Sequence, residues 1–214
     1  NCQGEDTTFW LTNRPDGMDV LRSEYKGVIV KLETRATSWL YLLLNYTASK
    51  SQGSIEYTQN QASDFDVYPD HFVNRFGYLS DDARHRVTMS GFAKLPLEFT
   101  FGTNVYWDSG VPYNVTSTNA PNAGYGVVFQ EPRGSRRLPH FYQWDAQLQK
   151  DFTIGPVRAG IIGSVFNILD TEIVTAKDGS VGNGSLEAPT NPRFNLPTRW
   201  QRPRNYEVGF RVEF

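Results

Sequence analysis

The stretch Arg204-Asn-Tyr-Glu-Val-Gly-Phe-Arg-Val-Glu-Phe214 decides the fold of this chain. Apolar and polar side chains alternate along it without a break. The apolar positions are Tyr206, Val208, Phe210, Val212 and Phe214. Because successive side chains of a strand point to opposite sides, the stretch predicts a β-strand with one apolar and one polar face.

The same alternation recurs in six further segments of the chain. They are residues 25–35, 39–49, 86–95, 98–107, 143–152 and 157–167. Each has the ~9–11 residues that a tilted strand needs to cross the hydrocarbon layer of a membrane. Residues 8–11 mark an eighth strand less clearly. We therefore predict seven strands, with one more near the N-terminus.

The connections between these segments are of two kinds. Three are tight, at residues 36–38, 96–97 and 153–156, and three are long, at 50–85, 108–142 and 168–203. Every tight turn falls on the side of the sheet where residue 214 lies, and every long connection falls on the other. This asymmetry is typical of outer-membrane β-barrels, with short periplasmic turns and long extracellular loops. The predicted fold is all-β: an antiparallel up-and-down meander forming a segment of a transmembrane β-barrel.

In a barrel of this kind, the two faces of the sheet meet different solvents. The residues expected on the outer, lipid-facing side are Val87, Met89, Phe99, Phe101, Leu148, Ile161, Val208, Phe210 and Val212. Those expected on the inner side are Lys94, Asn104, Gln147, Arg158 and Arg211.

Composition agrees with this interpretation and excludes others. Hydrophobic residues make up 39% of the chain and the mean hydropathy is −0.49, which excludes a helical membrane protein. A net charge of −2 gives no sign of nucleic-acid binding. Cys2, the one cysteine, cannot form an internal disulfide.

A set of short motifs follows the strands in order. It comprises Asp82-Ala-Arg-His-Arg-Val87, Ser90-Gly91, Leu95-Pro96, Ser109-Gly-Val-Pro-Tyr-Asn114, Arg137-Leu-Pro139, Trp144-Asp145, Gln149-Lys-Asp-Phe152 and Val165-Phe-Asn-Ile-Leu-Asp170. Each motif alone is weak, but the ordered set resembles the C-terminal barrel half of TonB-dependent outer-membrane transporters. It is most similar to the Oar-like group, whose members carry an N-terminal carboxypeptidase-regulatory-like domain. The resemblance covers roughly residues 25–214.

The resemblance implies a larger barrel with an N-terminal plug domain and a TonB box, neither of which this chain shows. We therefore expect residues 1–214 to be the C-terminal portion of such a barrel. The implied function is TonB-dependent uptake of a scarce, unknown solute across the bacterial outer membrane. The implied partners are outer-membrane lipid, the TonB complex (through the missing N-terminal part) and the barrel-assembly machinery. That machinery is expected to read the terminal strand at Tyr206, Val208, Phe210, Val212 and Phe214.

Candidate sites are confined to the long connections. Asp81, Asp82 and His85 could be arranged as a hydrolytic group, but a solvated loop end with an Arg84/Arg86 ion-pair network is favoured, and no catalytic residue is predicted. The acidic residues between 64 and 70 match no calcium loop, so no metal site is predicted, and no cofactor is expected. Glycine-rich residues 178–184 indicate a flexible loop tip. Arginines with aromatic rings suit a ligand surface, and equally a loop that packs on itself. These candidate ligand contacts are Tyr113, Arg133, Arg136, Arg137 and Trp200.

Two other functions remain open at this stage. One is a stand-alone small outer-membrane barrel that serves as an anchor or adhesin. The other is a soluble β-sandwich that binds carbohydrate, in which the strand at 204–214 would pack against a second sheet.

Overall fold

A computed structural model of the chain describes residues 22–35, 37–55, 73–118 and 128–213. The expectations for the strand at 8–11, for Cys2, for the acidic residues 64–70 and for Phe214 lie outside these residues. No helix long and apolar enough to cross a bilayer occurs within these ranges.

Seven long strands form one sheet. They are β1 (Ser23–Thr34), β2 (Leu40–Gly53), β4 (His85–Leu95), β5 (Phe99–Asp108), β10 (Phe141–Ile154), β11 (Val157–Phe166) and β14 (Asn205–Glu213). Each pairs antiparallel with the next in the order β1-β2-β4-β5-β10-β11-β14. The predicted all-β antiparallel meander is therefore confirmed.

The strand register places the predicted faces on opposite sides of this sheet. One row across it runs Ala93, Phe101, Leu148, Gly163 and Val208. The neighbouring row contains Phe92, Gly102, Gln147, Ser164 and Glu207. Since side chains of adjacent residues point to opposite faces, all the residues predicted for the outer side share one face, the apolar face, and those predicted for the inner side share the other. This polar face also carries some apolar residues, such as Ile29, Leu43 and Phe92.

The apolar face is exposed rather than packed. Val28 and Val208 are each 65% exposed and Phe210 is 76% exposed. No second layer covers this face in the described parts of the chain, which form one large sheet and three two-stranded ladders. The alternative of a soluble β-sandwich, which needs two stacked sheets, is therefore wrong for these residues.

The tight turns lie where the sequence placed them. Ile154 pairs with Val157, so the turn between β10 and β11 is reduced to Gly155 and Pro156. Gly155 has φ +62, a backbone conformation that glycine adopts readily and residues with a Cβ rarely do. In the turn between β4 and β5, Leu97 and Glu98 adopt φ of 60 and 59.

The described parts of the long connections contain seven short strands: β3 (Gly77–Tyr78), β6 (Pro112–Tyr113), β7 (Thr116–Ser117), β8 (Val128–Phe129), β9 (Arg136–Arg137), β12 (Val174–Lys177) and β13 (Pro197–Trp200). β6 pairs with β9, β7 with β8 and β12 with β13, while β3 pairs with β2. β2 extends to Gly53, beyond its predicted end at residue 49, and its last residues pair with both β1 and β3.

Candidate functional site

The long connections pack together at one end of the sheet. We call their described parts the loop cluster: residues 54–55 and 73–84, 109–118 and 128–140, and 167–204. The cluster holds every buried apolar side chain found in the described residues. These are Leu79, Ala83, Val115, Phe129, Leu138 and Val181. The only compact core of the described chain therefore lies outside the membrane-type sheet, in its loops.

Backbone hydrogen bonds join the three connections. The amide of Tyr78 donates to the carbonyl of Arg133 (3.0 Å), and the Arg133 amide donates to Asn74 (2.9 Å). On the other side, the Thr116 amide donates to the carbonyl of Gly179 (2.9 Å). The second connection is thus held between the first and the third.

The segment 178–184 shows that one sequence prediction was wrong. It is not a flexible loop tip, because Val181 is fully buried and its amide donates to the carbonyl of Thr116 (2.9 Å). The Ser180 amide also donates to the Asp178 carboxylate (3.0 Å), a local turn that Asp side chains commonly form. The glycines serve close packing here: a Cβ on Gly179 would lie 1.8 Å from the carbonyl oxygen of Asn114.

Asp82 is the charged centre of the loop cluster. Its side chain is 0% exposed and accepts hydrogen bonds from the Ser51 amide (2.6 Å) and Arg84 Nε (3.0 Å). Arg137 also binds this carboxylate, and it donates to the carbonyls of Asp82 (2.7 Å) and Gly110 (3.0 Å). A buried carboxylate needs such partners to remain charged.

His85 does not join Asp82 in a hydrolytic arrangement. The imidazole Nδ1 lies 2.9 Å from the hydroxyl of Tyr46, and the two rings stack with centroids 6.1 Å apart. The Asp82 carboxylate is instead engaged by Arg84 and Arg137. The predicted ion pair with Arg84 is confirmed. The second partner is Arg137 rather than Arg86, and the carboxylate is buried rather than solvated.

All five predicted ligand contacts lie in the loop cluster, and four of them come together at the β6–β9 ladder. The ladder between β6 and β9 places Tyr113 opposite Arg136, and Pro112 opposite Arg137. Arg133 lies in the turn just before β9, is 3% exposed, and donates to the carbonyl of Ser54 (3.1 Å). Trp200 lies on the separate β12–β13 ladder, opposite Val174.

The polar groups of these residues are largely engaged within the protein. Arg136 forms two hydrogen bonds with the carboxylate of Glu131, at 2.7 and 3.1 Å. These bonds raise the pKa of Arg136 above its ordinary value. The Tyr113 hydroxyl donates to the side chain of Asn195 (2.8 Å). Trp200, by contrast, is 50% exposed. Ligand contact by these residues stays a prediction.

The polar face of the sheet forms a second surface of interest. A hollow of about 320 Å³ lies over it, lined by side chains that include Asn104, Asp145, Gln147 and Ser164. The Asp145 carboxylate accepts bonds from the Gln143 side chain (2.9 Å) and from the Asn167 amide (2.9 Å). No group of three or more metal-ligating side chains occurs in the ranges that the structure describes.

Comparison with known proteins supports the fold. The sequence matches no model of a known protein family, and no curated protein matches it. Among solved structures, the chain is similar to the ferripyoverdine receptor of the outer membrane of Pseudomonas aeruginosa bound to ferripyoverdine. The TM-score is 0.52 at 12% identity, covering 91% of this chain and 20% of the receptor.

A second similar structure is the same receptor, FpvA, bound to a heterologous pyoverdine–iron complex. It gives a TM-score of 0.51 at 12% identity, with the same coverage. At this identity the likeness shows the fold alone: the sheet has the architecture of an outer-membrane β-barrel receptor. The chain spans about a fifth of the length of these receptors.

Proposed function

We propose that this chain is part of the barrel wall of a TonB-dependent transporter that takes up a scarce solute across the bacterial outer membrane. The fold likeness to an outer-membrane receptor and the ordered sequence motifs both support this proposal. Because the chain spans about a fifth of the similar receptors, the plug domain, the TonB complex and the barrel-assembly machinery are proposed partners of the complete protein. The solute is left unspecified.

The observation that carries the proposal is the exposed apolar face. Tyr206, Val208, Phe210 and Val212 of β14 are 71, 65, 76 and 59% exposed. The register continues this face across the sheet as far as β1. Soluble proteins rarely leave so large a contiguous apolar surface in water. In a bilayer the same surface is stabilised, because lipid replaces water around it.

The loop cluster then lies at the extracellular mouth of the barrel. Tyr113, Arg133, Arg136 and Arg137 hold it together by internal hydrogen bonds, and they are proposed to present a shaped surface to the solute. The half-exposed ring of Trp200 offers a direct stacking contact.

Two arginine substitutions test which face of β14 meets lipid. Val208→Arg places a charge on the apolar face, which should destabilise the protein by about 2–4 kcal/mol if that face meets lipid. Gly209→Arg is the matched control, because it places the same charge on the polar face of the same strand. A Cβ at Gly209 meets its nearest neighbour, Ile162, at 3.8 Å, an ordinary contact distance. The free energy of unfolding is measured by urea titration in lipid bilayers. Equal losses from the two changes would contradict the proposal.

An anchor or adhesin would pass this test equally, so uptake is measured separately. Cells that make the complete protein should accumulate its solute in an energy-dependent way. Cells that make the Trp200→Ala variant instead should accumulate less of it. Accumulation that persists without the TonB complex would contradict energy coupling.

A further inference from the structure

The apolar face carries a cationic hollow at its long-loop end. The hollow has a volume of about 490 Å³, and its basic lining residues are Lys26, Lys50, Arg84 and His85. We call these four residues the cationic rim. Lys26 lies directly opposite Lys50 in the pairing of β1 with β2. Like charges at directly opposed positions repel each other, so an anion between them would stabilise the pair.

Among the described residues, the acids near the cationic rim do not neutralise it. Glu24 lies 3.8 Å from Lys26, but it also lies 3.5 Å from Arg22. Asp82 binds Arg84 through Nε (3.0 Å) and is shared with Arg137. Each carboxylate therefore has two basic partners, while Lys50 adds a further positive charge. An excess of positive charge remains.

Arg84 is held in place by Tyr78 and Asp82, in a position where it can meet an external anion. Its guanidinium lies 4.3 Å from the ring centroid of Tyr78, and the Lys50 amino group lies 5.7 Å from the same ring. Arginine has five N–H donors, and the Nε–H of Arg84 is the one bound to Asp82. The side chain is 38% exposed, so part of it can be reached by a ligand from outside.

The hollow continues directly into the apolar face. One step further along β1, Val28 lies opposite Ala48, and Val30 lies opposite Tyr46. Val28 and Val30 are 65 and 56% exposed. A ligand in the hollow would thus have its charged part against the cationic rim and its apolar part against these valines. That combination fits a lipid with a phosphorylated headgroup better than a free anion.

The other end of the same face has no comparable cluster in the described residues. At that tight-turn end the apolar face carries Lys150. Its amino group binds the carbonyl of Leu97 and lies 5.1 Å from the rings of Phe99 and Phe152. The positive charge is therefore concentrated at the long-loop end.

We propose that Lys26, Lys50 and Arg84 bind the phosphate of a lipid headgroup in the membrane leaflet at the long-loop end. This inference rests on the proposed function in one respect, namely that the apolar face lies in lipid. The phosphate bridges the opposed lysines of β1 and β2, and the acyl chains lie along Val28 and Val30.

The test uses the complete protein in phosphatidylcholine nanodiscs that contain 10% lipid A with both phosphates, 10% dephosphorylated lipid A, or neither. Bound lipid is counted by native mass spectrometry. The variant is Lys26→Gln with Lys50→Gln, and the control is Lys31→Gln with Lys94→Gln, which removes the same charge from the polar face. Each lysine near a membrane surface contributes about 1 kcal/mol to anionic lipid binding, so the variant should bind phosphorylated lipid A about 30-fold more weakly.

The outcomes separate the possible explanations. The site is supported if the Lys26/Lys50 variant binds less phosphorylated lipid A while the control binds as much as the wild type. Dephosphorylated lipid A should bind weakly to all three proteins. Equal binding by variant and control overturns it. Competition by millimolar inorganic phosphate would overturn the lipid assignment in favour of a free-anion site. Failure of the wild-type protein to enter nanodiscs would overturn the membrane proposal as well, whereas insertion without lipid selectivity counts against the lipid site alone.

Discussion

Asp82 shows how single residues fix the loop cluster. The strand pattern gives no reason to bury a carboxylate between two arginines, yet the Asp82 side chain is fully enclosed. Its bonds reach the end of β2 through the Ser51 amide and the second long connection through Arg137. One carboxylate therefore fixes the position of one connection relative to another and to the sheet.

Replacing Asp82 should loosen this arrangement. Breaking a buried ion pair by removing one partner costs about 3–5 kcal/mol. Since Arg84 and Arg137 are themselves 38 and 27% exposed, Asp82→Asn should fall near the lower end, at about 3 kcal/mol. Urea unfolding in detergent micelles measures the change. The exposed neighbour provides the control: Asp81→Asn should stay within about 0.5 kcal/mol of wild type. Similar values for both variants would show that Asp82 is not the centre of the cluster.

Asp170 makes a pH-dependent prediction at the start of the third connection. It accepts a hydrogen bond from the Arg204 amide (2.9 Å) and forms an ion pair with the Arg204 side chain (3.1 Å). The backbone bond first, and then the side chain, lower the pKa of Asp170 below its ordinary 3.8. Because the folded-state pKa is depressed, this contribution to stability is present above the unfolded pKa and is lost as the pH falls through the folded value. A carboxyl NMR titration should give a midpoint below 3.8, and a midpoint at or above 3.8 would contradict the contact.

The tight turn between β10 and β11 depends on the backbone conformation of Gly155. It has φ +62, and a Cβ built there meets nothing within 4 Å. Space is therefore not the constraint, and backbone conformation alone requires glycine.

Gly155→Ala should destabilise the β10–β11 hairpin by about 1–2 kcal/mol, the cost of a left-handed conformation for a residue with a Cβ. Gly155→Asn should cost less, since asparagine tolerates this conformation. Unfolding free energies of the two variants test the order. A loss for Asn equal to or larger than that for Ala would contradict the backbone explanation.

Some elements of the fold could be predicted from the sequence, and others could not. Strands such as β14 were found because a period of two in apolar residues belongs to the strand itself. The ordered structure of segment 178–184 could not be predicted, because it depends on distant partners. One of them is the carbonyl of Thr116, to which the Val181 amide donates. The strand β3 was missed for a similar reason: Gly77–Tyr78 is too short for a pattern, and it forms only because β2 offers an edge. Among the site residues, the grouping of Tyr113 with Arg136 depends on the β6–β9 ladder, which local sequence does not reveal.

For the whole molecule, the described sheet has two free edges. β1 pairs with β2 alone and β14 pairs with β11 alone in the described residues. Unpaired edge groups cannot be satisfied in lipid, so a sheet in the membrane must be completed by further strands. We propose that it is an arc of a larger barrel, with lipid on one side and an aqueous lumen on the other.

Site-directed spin labelling along β14 tests this claim most directly. Single cysteines replace Tyr206, Glu207, Val208, Gly209 and Phe210 in turn, in the complete protein with Cys2 and any other native cysteine replaced by serine so that each label is unique. After reconstitution in bilayers, collisions with oxygen report lipid and collisions with a water-soluble nickel chelate report the aqueous phase. Labels at 206, 208 and 210 should collide mainly with oxygen, and labels at 207 and 209 mainly with nickel. Nickel accessibility at all five positions, or no alternation between them, would contradict the account.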